Sequence, residues 1–499
     1  MKIAFCYPPF SKNGRFPNLP QNRQFIYTAS DKVQLYPVVM ATAATWLRNL
    51  GHEVLWLDGI TRRMSFEKYE EILSSFSPDL IVLEAKAPIM KKLWKCVDRC
   101  KGAKGQRCKV ILVGDHVSYF PEESFKNSKV DYVLTGGDYD FLLINLIRHL
   151  ERGTKLEPGI YCRKDQKSKK FRNSKLEIRN SGKFILNHKL SDLPIIDRQL
   201  TRWQDYGEAY LFHPCAYVMF GRGCGINGKN TGACSFCIWQ QSLWRCSARL
   251  RSPAHVVEEV KELIGLGVKE IFDDTESGAL WDYQWLREFY RLLKKEKLLG
   301  RVIFSSNARG DQLNIKTCKL LKKLNYRLLK VGLESGNNQT LSKINKKESI
   351  EDIIQGVKNA KDAGLRVMLT TMVGYPWETE KEVKETYRVT RELMFYKTRA
   401  GDCLQASVII PYPGTLLWNQ SIKGQWLKIK PKDYEKYDMA QPILKSKISP
   451  EDWCQKIWSI HKEIPFILKS GFSIRKVDEV KLLLRGVGSL LGHLKDYRI

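Results

Sequence analysis

Long apolar runs are missing from this chain. No stretch reaches the ~18 consecutive apolar residues that read as a membrane-spanning helix, so no span is expected. The start, Met1-Lys2-Ile3-Ala4-Phe5-Cys6, lacks the longer apolar segment and small-residue cleavage site of a secretory signal. It reads instead as a first β-strand meeting Pro8-Pro9, and a cytoplasmic protein is expected. There is no internal repeat and no low-complexity tract, which excludes solenoid arrays. Acidic residues are few beside basic ones: 54 Asp and Glu against 83 Lys and Arg give a formal charge of +29. That balance suits nucleic acid, phosphates or anionic lipid. The charge is dispersed, however, with Lys167, Lys169 and Lys170 in loop-like sequence, and no nucleic-acid module is visible. A nucleic-acid partner is allowed by the charge but not favoured. Paired cysteines are lacking too. Thirteen, an odd number, are scattered over 499 residues, which argues against a secreted disulfide framework and for free thiols.

What is present is a double alternation of strand and helix. In the first ~150 residues, short apolar strands at Lys2–Tyr7, Val54–Leu57, Leu80–Leu83, Val110–Val113 and Val130–Leu134 alternate with helical segments. Those helices are read at Pro37–Leu50, Phe66–Phe76, Ile89–Cys100 and Asp138–Arg152. The pattern predicts a flavodoxin-like (Rossmann-type) parallel sheet covered on both faces, with ligands beyond the carboxyl ends of its strands. Residues 153–208 read as a linker with a small hairpin. A second alternation runs over 209–420, with strands at Tyr217–Phe220, Glu270–Asp273, Val302–Ser306, Leu328–Leu333, Val367–Val373 and Leu404–Ile410. The helices between them are read at Pro253–Leu266, Trp281–Lys297, Ile315–Leu324, Ile350–Ala363 and Glu380–Phe395. Six such units predict a partial (β/α)6 TIM-type barrel, whose chemistry sits on the loops after the strands. Residues 421–499 carry two amphipathic stretches, Pro450–Ile467 and Val477–Leu491, read as a helical cap.

The chemistry-bearing residues lie just past the first barrel strand. Gly221-Arg222-Gly223-Cys224 is followed by Cys234-Ser235-Phe236-Cys237, a Cys-x9-Cys-x2-Cys spacing. Three thiolates can hold three irons of a [4Fe–4S] cluster and leave the fourth open to a ligand. A structural zinc site is the alternative, with Cys215, Cys246 or His213 as fourth ligand, although none completes a second Cys-x2-Cys knuckle. Ordinary packing cysteines are the other.

Residues 217–420 resemble the radical S-adenosylmethionine (SAM) superfamily. The cysteine segment carries the likeness, together with Arg251-Ser252-Pro253, Val331-Gly332-Leu333-Glu334-Ser335-Gly336, Gly374-Tyr375-Pro376-Trp377-Glu378-Thr379 and Pro411-Tyr412-Pro413-Gly414-Thr415. The preceding domain resembles the cobalamin-binding module often fused ahead of such barrels. Together they resemble the cobalamin-binding radical SAM class, which contains methyltransferases, cyclases and ring-contracting enzymes. One departure is the first cysteine gap, longer by six residues than the usual Cys-x3-Cys; residues 226–233 fall within it and read as a bulged loop.

The resemblance implies a [4Fe–4S] cluster on Cys224, Cys234 and Cys237, with SAM on its open iron. A 5′-deoxyadenosyl radical would then act on a small-molecule substrate, with electrons from an external flavodoxin- or ferredoxin-type donor. Phe236 and the backbone near Ile238 would hold the adenine, Glu334 the ribose, Ser306 and Arg309 the carboxylate side, and Asp274 and Glu276 the ammonium. Cobalamin would meet the first domain at Asp58, Arg62, Gly114, Gly136 and Gly137, with no histidine in the Asp58 segment to ligate cobalt. Methylation of an unactivated carbon is the expected reaction. Cyclisation within the same class and RNA modification are the alternatives.

Overall fold

The structure, a computed structural model, describes residues 1–19, 26–28, 33–102, 108–163, 177–224 and 233–496, without the side chains of 487–496. The long loop between Cys224 and Cys234 and the lysine-rich turn of the linker lie outside the described residues.

The first sheet follows from its apolar runs. Lys2–Tyr7 is buried from Ile3 onward and pairs in parallel with both Glu53–Asp58 and Leu80–Glu84. Lys109–Val113 and Tyr132–Leu134 continue the parallel order. The chain therefore reverses direction of winding at its first strand, the point where open α/β sheets form their crevice. The linker hairpin forms from Ile160–Arg163, as its sequence suggests, and Ile178–Asn180, not from Phe184–Leu186, where the second strand is expected and none forms. It is not free-standing: both strands add antiparallel to this sheet and make it seven-stranded. Two short helices at Asp115–Tyr119 and Pro121–Asn127, absent from the sequence reading, fill the step between the fourth and fifth strands.

The second sheet has six parallel strands in chain order: Cys215–Val218, Glu270–Asp273, Ile303–Ala308, Tyr326–Glu334, Arg366–Val373 and Cys403–Val408. Sequential order with a helix after each strand is the partial barrel expected. The first strand ends two residues earlier than Tyr217–Phe220 predicts, because Phe220 already turns toward the short strand Gly221–Arg222. Side-chain caps start the outer helices: Ser252, Asp282, Asn314, Ser349 and Thr379 each accept a backbone N–H of the first turn. Two buried ion pairs brace the barrel floor, Arg327 with Glu270 at 2.8 Å and Lys361 with Asp402 at 3.0 Å.

The cap differs from its reading at one point. Pro450–Ile467 is not one helix. It breaks after Trp458, and a new helix, Ile464–Phe472, starts with Pro465 in its first turn. Val477–Asp496 follows as the last helix.

The two sheets are joined by charge. Arg222 donates to Asp138 at 3.0 Å and also pairs with Asp140, and Arg249 donates to Asp138 at 2.8 Å. His188, from the linker, lies 2.9 Å from Asp138 and 3.0 Å from Glu157. The Gly137 N–H donates across the same seam to the Leu243 carbonyl at 3.0 Å.

Candidate active site

The short strand Gly221–Arg222 pairs antiparallel with Arg249–Leu250 and delivers Cys224 to the carboxyl face of the barrel. Gly223 sits at φ +86°, and a Cβ there would come 2.0 Å from the Ser247 carbonyl oxygen, so the position admits only glycine. Its N–H donates to Glu276 Oε2 at 2.7 Å, and the Cys224 N–H donates to Gln240 Oε1 at 3.2 Å. Cys234 and Cys237 share a tight turn in which the Cys237 N–H donates to the Cys234 carbonyl at 3.0 Å. Neighbouring loops hold that turn. Ser235 N–H donates to the Ile344 carbonyl and Leu417 N–H to the Ser235 carbonyl, both at 2.8 Å. Gln241 Nε2 donates to the Cys234 and Ser235 carbonyls at 2.9 and 3.0 Å. A short π-helix, Trp239–Trp244, follows at once, a widened geometry frequent at functional sites.

All thirteen cysteines are free thiols, and these three are half-buried. Burial pushes the Cys234 thiol up to about 12, against the pull of the Lys346 charge, while Cys237 and Cys224 add to the rise. Metal binding would replace that proton and set thiolate charge beside a buried cation. Among the described residues no three Cys, His, Asp or Glu side chains converge on a single ion. Three thiols after the first barrel strand, with a buried lysine charge pulling one of them toward thiolate, are a donor set that fits a three-thiolate cluster. Of the alternative zinc ligands, Cys215 begins the first barrel strand, at the end away from the cysteine loop, whereas Cys246 is close enough to Cys224 and Cys234 for them to raise its pKa.

A cavity of about 640 Å³ occupies the barrel beside these cysteines. Phe236, Cys237, Ile238, Asp274 and Glu334 line it together. Glu334 takes φ +61° at a register shift in its strand, a strained conformation of the kind found where geometry serves function. Its carboxylate accepts from Lys346 Nζ at 3.2 Å. Lys346 is 5% exposed; burial disfavours its charge, but Glu334 and Glu348 outweigh that and raise its pKa.

Three expected residues are not brought to the cavity wall. Ser306 is buried on the other side of the pleat and donates to the Asn307 carbonyl at 2.9 Å. Asn307 lines the cavity in its place and donates to Asp274 Oδ1 at 3.3 Å. The Arg309 guanidinium is committed to Asp311 at 2.9 Å and to the carbonyls of Lys346 and Lys347 at 3.1 and 3.2 Å. Glu276 braces the cysteine loop, as described. Sequence reading missed Asn307, where strand alternation was the signal. It also missed Lys346, where no sequence signal existed.

The strand ends of the first sheet were tested as a corrin cradle. Asp58 accepts from the N–H groups of Ile60 and Thr61 at 2.9 and 2.8 Å and from Tyr206 Oη at 2.8 Å, which commits it to its own turn. Arg62 is exposed beside it. Gly114, at φ +111°, lies against the Ala85 carbonyl; a Cβ there would stand 2.7 Å from that oxygen. Built on Gly136, a Cβ would lie 2.4 Å from the Phe184 ring, and on Gly137, 1.9 Å from the Trp244 ring. These glycines thus admit the chain's own aromatic rings. Lys86, 3.2 Å from Asp115, lies under Trp239, 5.5 Å from the ring centroid. His116 packs on Tyr434 at 4.8 Å. At these strand ends Gly136 and Gly137 leave room for the Phe184 and Trp244 rings, and Asp58 is held by its own turn.

Residues 218–390 match the sequence family described as the Radical SAM superfamily. An uncharacterized methyltransferase of Pyrococcus horikoshii is 25% identical over 464 residues, covering 90% of this chain and 93% of that protein. The radical SAM methyltransferase TsrM of Kitasatospora setae, solved with cobalamin and a [4Fe–4S] cluster, superposes with a TM-score of 0.64 at 16% identity, over 92% of this chain and 88% of that one. The cobalamin-dependent SAM radical enzyme OxsB, solved with aqua-cobalamin and SAM, gives a TM-score of 0.67 at 14% identity, over 99% and 71%. Residues 218–390 thus match the radical SAM superfamily, with the cysteine triplet on the first barrel turn, and the two-sheet fold is the one shared with TsrM and OxsB.

Proposed function

We propose that the chain is a radical SAM methyltransferase acting on an unactivated carbon of a substrate held in the barrel, as a member of the cobalamin-dependent class. The observation that carries this reading is the cysteine turn opening onto the same cavity as Phe236, Ile238, Asp274 and Glu334. When bound, a [4Fe–4S] cluster and SAM supply one-electron cleavage of the sulfonium and, with it, a hydrogen-abstracting radical. The chain's own part is to hold these groups. Cys224, Cys234 and Cys237 would hold the cluster, and buried Lys346 offsets its negative charge. Phe236 and Ile238 offer an apolar shelf for the adenine, and Asp274 and Glu334 offer carboxylates for the ammonium and ribose. The cap contributes Trp458, Phe466 and Leu482 to the cavity wall. The electron would come from a separate reductant of flavodoxin or ferredoxin type. The substrate wall is mostly apolar and gives no array of cations for a phosphodiester backbone, so RNA modification is not favoured.

A second reading is the same radical chemistry run without a corrin. One set of measurements separates them. The chain is purified without oxygen from a host supplied with cobalamin, reduced, and given methyl-labelled SAM. Corrin absorbance in near-equal ratio to protein, with label in product, supports the first reading. Label transfer without corrin supports the second. Deoxyadenosine with no label in product points to cyclisation, and no deoxyadenosine rejects radical chemistry altogether.

A further inference from the structure

The cap carries apolar surface that the fold does not use. In the helix Ile464–Phe472, one face is buried through Phe466 and Ser470. The other presents Ile464, Ile467, Leu468 and Phe472, which are 71, 53, 52 and 78% exposed. Their spacing by three and four residues makes one continuous stripe. Val477, Val480 and Leu484 repeat this on the last helix, again at helical spacing and exposed. Such a clustered run of exposed large apolar side chains, where those elsewhere are scattered singly, marks an interaction site.

Two further observations name the occupant. The stripe runs into the cavity: Ile467, Gly471 and Gly486 are exposed and also line it. Inside, the wall continues apolar through Met368, Met372, Ile409, Trp458, Phe466 and Leu482. The stripe is also rimmed by exposed cations, Lys462, Lys469, Arg475, Lys476 and Lys481. The acids of the same stretch are turned to the barrel. Glu463 pairs with Arg391 at 2.7 Å, Glu479 with Arg366 at 2.6 Å and Asp478 with Lys269 at 3.6 Å. A second copy of this chain would set cations against cations. An anionic bilayer takes both the apolar stripe and its basic rim.

We propose that the helices Ile464–Phe472 and Val477–Asp496 seat on an anionic lipid bilayer, and that the cavity behind them receives an apolar, lipid-borne substrate from it. The proposal rests on the proposed function only in taking the cavity as the substrate's place. The surface is tested independently. The full chain is sedimented with vesicles of phosphatidylcholine alone or with phosphatidylglycerol. Binding to the mixed vesicles that weakens with added salt is expected. The triple variant Ile464→Ser, Leu468→Ser, Phe472→Ser should lose at least about tenfold in partitioning, with its melting transition unchanged because these side chains face solvent. The soluble chain should also bind the fluorescent fatty acid cis-parinaric acid. No vesicle binding, or a dimer in light scattering that the triple variant abolishes, would overturn the docking surface. No fatty-acid binding would overturn the substrate class. Vesicle binding by a chain that makes no deoxyadenosine would leave the surface standing and remove the radical reading instead.

Discussion

Lys346 shows how much a single side chain controls here. It is buried beside Cys234 and holds two carboxylates, Glu334 at 3.2 Å and Glu348 at 3.7 Å. Lys346→Met should therefore cost about 3 kcal/mol or more in denaturant unfolding, because it leaves buried charge uncompensated. Glu334→Gln keeps the shape and removes the charge. It should raise the KM for SAM about tenfold, as a charged hydrogen bond becomes a neutral one. His188 supplies a pH signature. Burial opposes its charge, but hydrogen bonds and charges from Asp138 and Glu157 prevail and raise its pKa from 6.5 to about 9. A raised pKa stabilises the fold fully below the unfolded value, and that contribution is lost as pH rises through the folded one. The wild-type Tm should thus fall from pH 6.5 to beyond 9, and the His188→Gln variant should fall less. At this scale the sequence was legible where a motif brought the side chain to the cavity wall, as at Phe236, Cys237 and Glu334. It was illegible at Lys346, whose partners come together only in three dimensions, and it named Ser306 where the pleat presents Asn307.

Among the elements, local signals served well. Phe66–Phe76, Glu270–Asp273 and Glu380–Phe395 start and stop where caps and apolar runs place them. The failures were tertiary. The linker hairpin joined a sheet whose edge its sequence could not reveal, and Pro465 divided a helix that its periodicity had made continuous. The π-helix Trp239–Trp244 had no sequence mark, yet it presses Trp244 against Gly137. Gly137→Ala should destabilise by about 1–3 kcal/mol through that overlap, and Trp244→Leu should restore most of the loss in the same melting assay. The Arg222 junction invites a stronger test. Removing it leaves Asp138 and Asp140 buried, and Arg222→Met should cost about 3–5 kcal/mol. Because that junction spans the two sheets, denaturant unfolding of the variant should split into two transitions if it is what couples them.

For the molecule as a whole, two alternating patterns were enough to predict a parallel sheet followed by a partial barrel, but not the two antiparallel strands that extend the first sheet. The pattern could not show that Phe184 of the linker and Trp244 of the second unit pack on the first sheet's strand ends, or that the cap leaves an apolar stripe at the cavity mouth. Both are products of tertiary packing that no local signal marks. The account depends on an iron–sulfur cluster held by three thiolates at the mouth of a partial barrel. The most direct test is the absorbance and electron paramagnetic resonance of the anaerobically reconstituted chain before and after reduction, repeated on the Cys224→Ala, Cys234→Ala, Cys237→Ala triple variant. The wild type should show a cluster whose reduced signal changes when SAM is added, and the variant should show none. A wild type without cluster absorbance, or a variant that retains it unchanged, would contradict the account.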